Sequence, residues 1–591
     1  MSIKPSAKKN IIRISYIRIA LVSIVTLLAM SACGLIDSIV ISRHLDTRAV
    51  AAVGYYAPMN VLTDLIYVVG VGACLLCGNF IGSGQQSRVN SLFTTTFTVT
   101  FAYGALLSTL LTAARVPISA LLGARGENGQ LLSQYMAGYA PGIVFTQLNA
   151  LLMSLASFNG AIHRSYVAIG ALFCLNSLLD LLLVGPLGLF GVGLATTISC
   201  LASFLIMLPA YLGRNQTVHF EWGSFDAKLL MESIRRGLPS LLFTAGLLIK
   251  NSLINYSLTV YVGYEGVAVA NVLGSLCGIA GSFSGGFANA FSSLTSLYVG
   301  EEDRESVIDV FHVALRIGLA FMSLMVITVM ALSAPLTDVF FARGTRVWQM
   351  GRNMFLLGFL FFPVNVFINL LMNGYKAQGR MTLCNILSFL EAAMIGVFAL
   401  VTAPRFGDRG VWLANMWSDL LAMAILLLSV FLFKKKVTFH SADLLKLSPD
   451  FGAKPDEFAE YAVRSMAEVG SVSQSVTAFC RHRGRSRRTA FLSGLCVEEI
   501  ARNVYQHGAV GKRSCSVNVR VTCRDQLIIR IQDDCRKFDP RERMNLYTPA
   551  NPESNIGLRL VAKMTSEIDY YNNAGINTMI MKIRPESDGS R

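Results

Sequence analysis

The stretch LNSLLDLLLVGPLGLFGVGLATTIS, residues 175–199, decides the fold. It is apolar almost throughout and is interrupted by GPLG at 185–188, so it reads as membrane helix, turn, membrane helix. Asn176 and Asp180 lie four residues apart in the first helix and therefore share a face. A carboxylate at that depth costs about 2.5–3.5 kcal/mol on insertion scales. It is retained when something pairs with it, hydrates it or exchanges with it.

The rest of the chain agrees with this reading. It has 591 residues, 53% of them hydrophobic, and a mean hydropathy of +0.52, which excludes an ordinary soluble protein. A span needs about 20 apolar residues. Twelve runs qualify: 16–42, 52–79, 90–114, 131–155, 165–184, 190–212, 237–262, 266–298, 307–333, 350–372, 381–402 and 410–433. The first run is too long for a signal-peptide core and no small-residue cleavage site closes it, so it is expected to be retained. The net charge of +15 is concentrated in the N-terminal tail, the 214–236 loop, Lys434–Lys436 and the region beyond. Basic residues favour alternate loops, which predicts both termini in the cytoplasm. The charge is read as attraction to an anionic bilayer surface rather than to nucleic acid.

The spans repeat. IDSIVISRHLDTRAVAAVG (36–54) aligns with INYSLTVYVGYEGVAVANV (254–272), and FIGSGQQSRV (80–89) with LYVGEEDRESV (297–307). Six spans is an even number, so the two copies share one orientation, and a substrate site is expected between them. The predicted organisation is a cytosolic tail 1–15, a six-helix lobe 16–212, a linker 213–236, a second six-helix lobe 237–433, a basic linker 434–455, a cytosolic α/β domain 456–585 and a tail 586–591. In the soluble domain, helices are expected before Gly470 and over 472–482, 489–506 and 556–568. Strands are expected over 515–524, 526–533 and 577–584. Its five cysteines (Cys480, Cys496, Cys515, Cys523, Cys535) are expected to be reduced.

Residues 16–433 resemble multidrug and toxic compound extrusion (MATE) transporters. The segments that carry the resemblance are LIDSIVISRHLDTRAVAAVGYYAPM, GNFIGSGQQSRV and the N-x-x-x-D-x-x-x-V-G-P-L-G-L-F-G-V-G-L-A-T-T run. It implies Na⁺- or H⁺-driven antiport of amphipathic, often cationic, small molecules. It also implies a coupling site formed by Asp37, Asn176 and Asp180, with Thr196 as an added oxygen. Two neighbouring carboxylates in low dielectric cannot both stay ionised at low cost, so the pair suits a proton or a hard cation. The repeat maps Asp37 to Asn255 and Asp180 near Gly396, so the second lobe lacks this site. It offers Lys250 and Glu391 instead, which are expected to be paired or water-linked. Asp64 and Asp419 are expected near helix ends. Two other functions fit the same sequence: a flippase for lipid-linked saccharides from the same superfamily, and a membrane sensor acting through its tail.

Residues 470–585 resemble the GHKL ATPase fold of anti-sigma-factor and histidine kinases, on LCVEEIARNVYQHG (495–508), IRIQDDCRKFDP (529–540) and NIGLRLV (555–561). The resemblance implies Mg-ATP. Glu499 would orient the attacking group, Asn503 would hold Mg²⁺, Asp533 would accept the adenine amino group, and Gly557 would approach phosphate. Cys535 and Lys537 replace the two glycines of the second motif, and Asn555 replaces the first glycine of the third. Backbone approach to a nucleotide is therefore hindered. A regulatory domain with a cytosolic protein partner is expected, and no Walker A motif points to ATP-driven transport.

Overall fold

The structure, a computed structural model, describes residues 6–45, 47–56, 59–213, 216–435, 438–508, 516–524, 526–536, 539, 556–573 and 575–584. All twelve apolar runs fall largely in helix. Among the described residues, 9 helices are long and apolar enough to cross a membrane, or 10 if the bent pair Arg346–Leu357 and Phe362–Ala377 is one span. The difference from twelve has two sources. Runs 165–184 and 190–212 form one helical element, Ile162–Met207, which contains a reversal. Run 52–79 is broken into short helices, of which Tyr67–Gly82 is the longest.

The reversal is at Gly188, with φ 57° and ψ −139°, a backbone conformation open only to glycine. Beyond it the chain runs back along itself, and a Cβ on Gly191 would collide with the Leu183 carbonyl. In one straight helix, residues 176 and 196 would be about 30 Å apart. Here Asn176 Nδ2 donates to Thr196 Oγ1 at 3.4 Å. The second lobe repeats the device at Gly407, with φ 58° and ψ −135°. After it Thr402 Oγ1 donates to the Gly410 carbonyl at 2.9 Å.

The two lobes meet along helix Tyr67–Gly82 of the first and Tyr264–Gly300 of the second. A Cβ on Gly78 would strike Ser296, and one on Gly82 the Leu297 carbonyl, the close approach that small residues permit in membrane packing. Ser157 and Ser293 share a hydrogen bond at 3.2 Å across this seam.

The tail is a five-stranded antiparallel sheet in the order β1-β2-β3-β5-β4: β1 Phe458–Val463, β2 Val517–Cys523, β3 Leu527–Asp533, β4 Thr565–Asn573 and β5 Ile576–Ile583. Two expectations fail here. The helix before Gly470 is strand β1, and the end of the expected 556–568 helix is strand β4, with helix only over Ile556–Met564. Both are edge strands, where burial is set by neighbours outside the sheet and the period-2 signal is weak. Cys480, Cys496 and Cys523 are free. Cys535, expected to be reduced, is disulfide-bonded to a partner outside the described residues.

One face of the sheet packs on helices Val469–His482, Arg487–Asn503 and Ile556–Met564. The other lies on the membrane part. Tyr571 and Ile580 join the hydrophobic core of the first lobe, with Phe80, Ala156 and Phe158. On the second lobe, Asp303 is 1% exposed and accepts from Arg520 Nη1 and Arg530 Nη2, each at 2.7 Å. Glu301 accepts from Arg530 and Tyr571. Lys8 reaches into the same network, 3.0 Å from Glu460. Burial alone would push the Asp303 carboxyl up, but Lys8, Arg520 and Arg530 outweigh burial and hold it well below the usual carboxylate range. Its contribution to docking is therefore present at neutral pH and is lost only as pH falls below the ordinary value of about 3.9. The expected basic linker is also packed: Leu444, Leu445 and Leu447 are buried in the second lobe's core.

Gly188→Ala places a Cβ on a backbone conformation that L residues avoid. It should cost about 1–3 kcal/mol and lower the melting temperature of the detergent-solubilised chain. Gly170→Ala, with open space around it and a helical backbone, should leave that temperature unchanged or raise it.

Candidate functional site

The reversal at Gly188 sets Asn176, Asp180 and Thr196 on adjoining helices, and the first span, Ser6–His44, adds Asp37. Asn176 is 2% exposed and Asp180 is fully buried. The Asp37 carboxyl lies close enough to Asp180 and Asn176 to interact with both. Among the described residues, no protein donor satisfies either oxygen of Asp180, Oδ1 of Asp37 or Oδ1 of Asn176. Thr196 turns its own hydroxyl proton to the Val192 carbonyl, leaving its oxygen toward Asn176. All four residues expected from the sequence are therefore brought together, as a cluster with several buried oxygens that have no donor among the described residues. Unpartnered buried oxygens of this kind fit a shared proton or a hard cation such as Na⁺.

An aromatic wall beside the cluster escaped the sequence reading. Tyr135 stacks on Tyr139 with centroids 5.4 Å apart, and Tyr56 stands edge-on to both, at 5.9 and 5.3 Å. Tyr135 lies close enough to both carboxylates to feel their charge. The signal was present in the sequence as tyrosines four residues apart, on one helix face.

The second lobe is arranged differently from the expectation. Glu391 does not meet Lys250. Its Oε1 accepts from Asn365 Nδ2 at 2.9 Å, and the nearby cation is Lys376. Lys250 has Asp419 as its acidic neighbour, and Asn255 is exposed. Asp419, expected near a helix end, is buried at mid-helix, beside Asn365 and Glu391. The side chain of Asp64 lies outside the described residues. Asn365, Asn369 and Asn373 recur at four-residue spacing and form a polar stripe: Ser284 and Asn369 both donate to Asn365 Oδ1, at 3.1 and 2.8 Å. Asn373 ends the stripe in a cavity of about 120 Å³ between the lobes, which Ser23, Tyr67, Met153 and Asn289 also line. A side chain on Gly396 would lie 3.0 Å from the Lys250 Cα, so close helix packing fills the place that the carboxylate site occupies in the first lobe.

In the tail, Glu499 and Asn503 end helix Arg487–Asn503, which loosens into a π turn over Val504–Gly508. Glu499 lies directly against Gly557. Asn503 Nδ2 donates back to the Glu499 carbonyl at 2.6 Å, and Asp533 Oδ1 accepts from Asn577 Nδ2 at 2.8 Å and from the Cys535 amide at 2.9 Å. The first and third motifs thus touch, and Asp533 closes β3. Lys537 and Asn555 lie outside the described residues. The carboxylate and amide oxygens of Glu499 and Asn503 suit Mg²⁺.

Two-lobed membrane transporters of known structure share this fold. One is a crystal structure of a MATE in complex with MaD3S, with a TM-score of 0.65 at 20% identity, covering 70% of this chain and 93% of that one. Another is an outward-facing conformation of a multidrug resistance MATE family transporter of the MOP superfamily, also at 0.65 and 20%, covering 73% and 97%. The MatE family model matches residues 23–182 and 239–401, and the chain belongs to that family. A histidine kinase-like ATPase domain model matches 464–583. The multidrug export protein MepA of Staphylococcus aureus is 24% identical over 421 residues, 68% of this chain and 89% of MepA. The probable multidrug resistance protein YoeA of Bacillus subtilis is 26% identical over 219 residues, 35% of this chain and about half (47%) of YoeA.

Because Lys250 and Glu391 have different neighbours, a double-mutant cycle of Lys250→Leu and Glu391→Gln, read by chemical denaturation in detergent, should give a coupling below about 0.5 kcal/mol. Asn365→Leu strips Glu391 of its donor and should cost about 1–3 kcal/mol in the same assay.

Proposed function

We propose that this chain is a cation-coupled antiporter of the bacterial inner membrane, exporting amphipathic, often cationic, compounds, with both termini in the cytoplasm. The observation that carries the reading is the buried set of unpartnered oxygens on Asp37, Asn176 and Asp180. A proton or Na⁺ entering there cancels charge that the apolar surroundings cannot screen. The cation and the exported compound then favour opposite conformations of one two-state equilibrium, which is all that antiport requires thermodynamically. The basic residues in alternate loops support the orientation. The cavity between the lobes, uncharged and lined by apolar, hydroxyl and amide groups, is suited to an amphipathic guest. The names of the related MepA and YoeA support export of drug-like molecules.

Asp180→Asn keeps the shape of the site and removes its charge. Gradient-driven dye efflux from energised vesicles should fall to background, with the melting temperature of the chain changed little. Collapsing the Na⁺ and proton gradients separately identifies the coupling ion. Efflux of Asp180→Asn at the parental rate would overturn the reading.

The tail is read as a nucleotide-binding regulatory domain. Bound Mg-ATP would place its adenine amino group on Asp533 and its Mg²⁺ by Asn503, with the Glu499 carboxylate close to the phosphates. Titration of the full chain with a fluorescent ATP analogue and Mg²⁺ should saturate. Asp533→Ala should weaken binding at least about tenfold, the value of one lost charge-assisted hydrogen bond.

A further inference from the structure

We propose that the open face of the tail sheet is a clamp: it grips both lobes across their seam, and the transporter can open on that side only when the sheet releases one of them. The inference rests on the transport reading above for its purpose, but its geometry stands on other residues.

The seam ends where the tail begins to touch. Gly82 packs on Leu297, and Gly300 on Asn79. Two residues beyond Gly82, Gly84 lies against Asp569 of β4. Immediately beyond Gly300, Glu301 and Asp303 are held by Arg530 and Arg520 of β3 and β2. The two helices that must part for this side to open are therefore gripped at their ends by one rigid sheet. Further ties broaden the footprint. Gly160 of the first lobe lies against Asn572, Lys8 of the first span pairs with Glu460 of β1, and Arg524 bonds Glu302 at 3.1 Å.

Opening the seam separates the 82–84 end from the 300–303 end. The sheet cannot stretch, because its strands are joined by backbone hydrogen bonds along their length, with one irregularity at Thr565–Glu567 of β4. One grip has to fail. The second-lobe grip is a buried network in which Glu301 and Asp303 meet Arg520 and Arg530, and removing one partner from such a network is strongly destabilising. The first-lobe grip is apolar contact through Tyr571, Ile580 and Ile528 together with the Lys8–Glu460 pair, whose carboxylate is the more exposed at 20%. The clamp therefore parts at the first lobe. Docked and undocked states differ in free energy by the first-lobe contact, and whatever binds the undocked tail better shifts the chain toward opening.

The test uses the full chain in inside-out vesicles. Gly160→Cys with Asn572→Cys ties the sheet to the first lobe, and Ser293→Cys reports on the seam. Modification of the reporter thiol by a water-soluble maleimide is followed on its own peptide by mass spectrometry, as a ratio to the chain carrying Ser293→Cys alone. With the tie oxidised, labelling should be at least about tenfold slower than after reduction, the change expected when a minor open state is removed. Conversely, Arg520→Ala with Arg530→Ala, without the tie, should label several-fold faster than the parent. Equal labelling with the tie closed and open overturns the clamp. So does an unchanged rate in the double arginine variant when its melting curve matches the parent. The readout is opening rather than flux, so a chain that exports no dye fails the transport reading alone. Normal efflux with labelling indifferent to the tie fails the clamp alone.

Discussion

Carboxylate oxygens buried without a hydrogen-bond donor govern the organisation of this molecule. A membrane interior offers no water to satisfy them, so Asp37 and Asp180 suit the cation-coupled role proposed above. The architecture of the first lobe serves that requirement. The left-handed turn at Gly188 folds two spans face to face, so that Asn176, Asp180 and Thr196 point into one space. The first span, which also contacts the second lobe's helix Tyr264–Gly300, supplies the opposing carboxylate. In the proposed mechanism, charge neutralisation on that span would reach the contact between lobes directly.

The second lobe repeats the turn at Gly407 but not the chemistry. Where the first lobe leaves both oxygens of Asp180 open, the second gives Glu391 a donor, although Asp419 Oδ2 stays without one among the described residues. Asn365 serves Glu391, Ser284 and Asn369 serve Asn365, and Gly396 lets the helices close where a cation site would sit. The duplication has kept the scaffold, while the buried carboxylate pair with its neighbouring amide and hydroxyl is found in one copy. The second copy has instead become the anchor for the tail, through Glu301, Asp303 and the packed 438–455 segment.

Most of this was legible in the sequence because it follows from local chemistry. The twelve apolar runs, the repeat and the Asn176–Asp180 spacing need only hydropathy and helix geometry, and Asp37 and Thr196 followed from the family motif. The failures share a cause. The repeat puts Lys250 and Glu391 on the equivalents of the first and fifth spans, but side-chain direction and neighbouring helices decide such pairings. The asparagine stripe at 365, 369 and 373 had the right spacing and was passed over. Asp419 was assigned to a helix end because the ends of its span could not be fixed from composition. Strands β1 and β4 are unrecognisable alone, since one of their faces is completed by the membrane domain rather than by the sheet.

Strand β3 is read from both sides. Its Arg530 faces the membrane part and its Asp533 the nucleotide motif, so occupancy on one side and docking on the other share a single backbone. Because the tail belongs to the same chain as the loops it grips, it docks at an effective concentration in the millimolar range, independent of how much protein the cell makes. A soluble rival for that surface must outcompete a tethered domain. A small molecule that loosens the sheet from within faces no such contest, so the fusion favours control by metabolites over control by competing proteins.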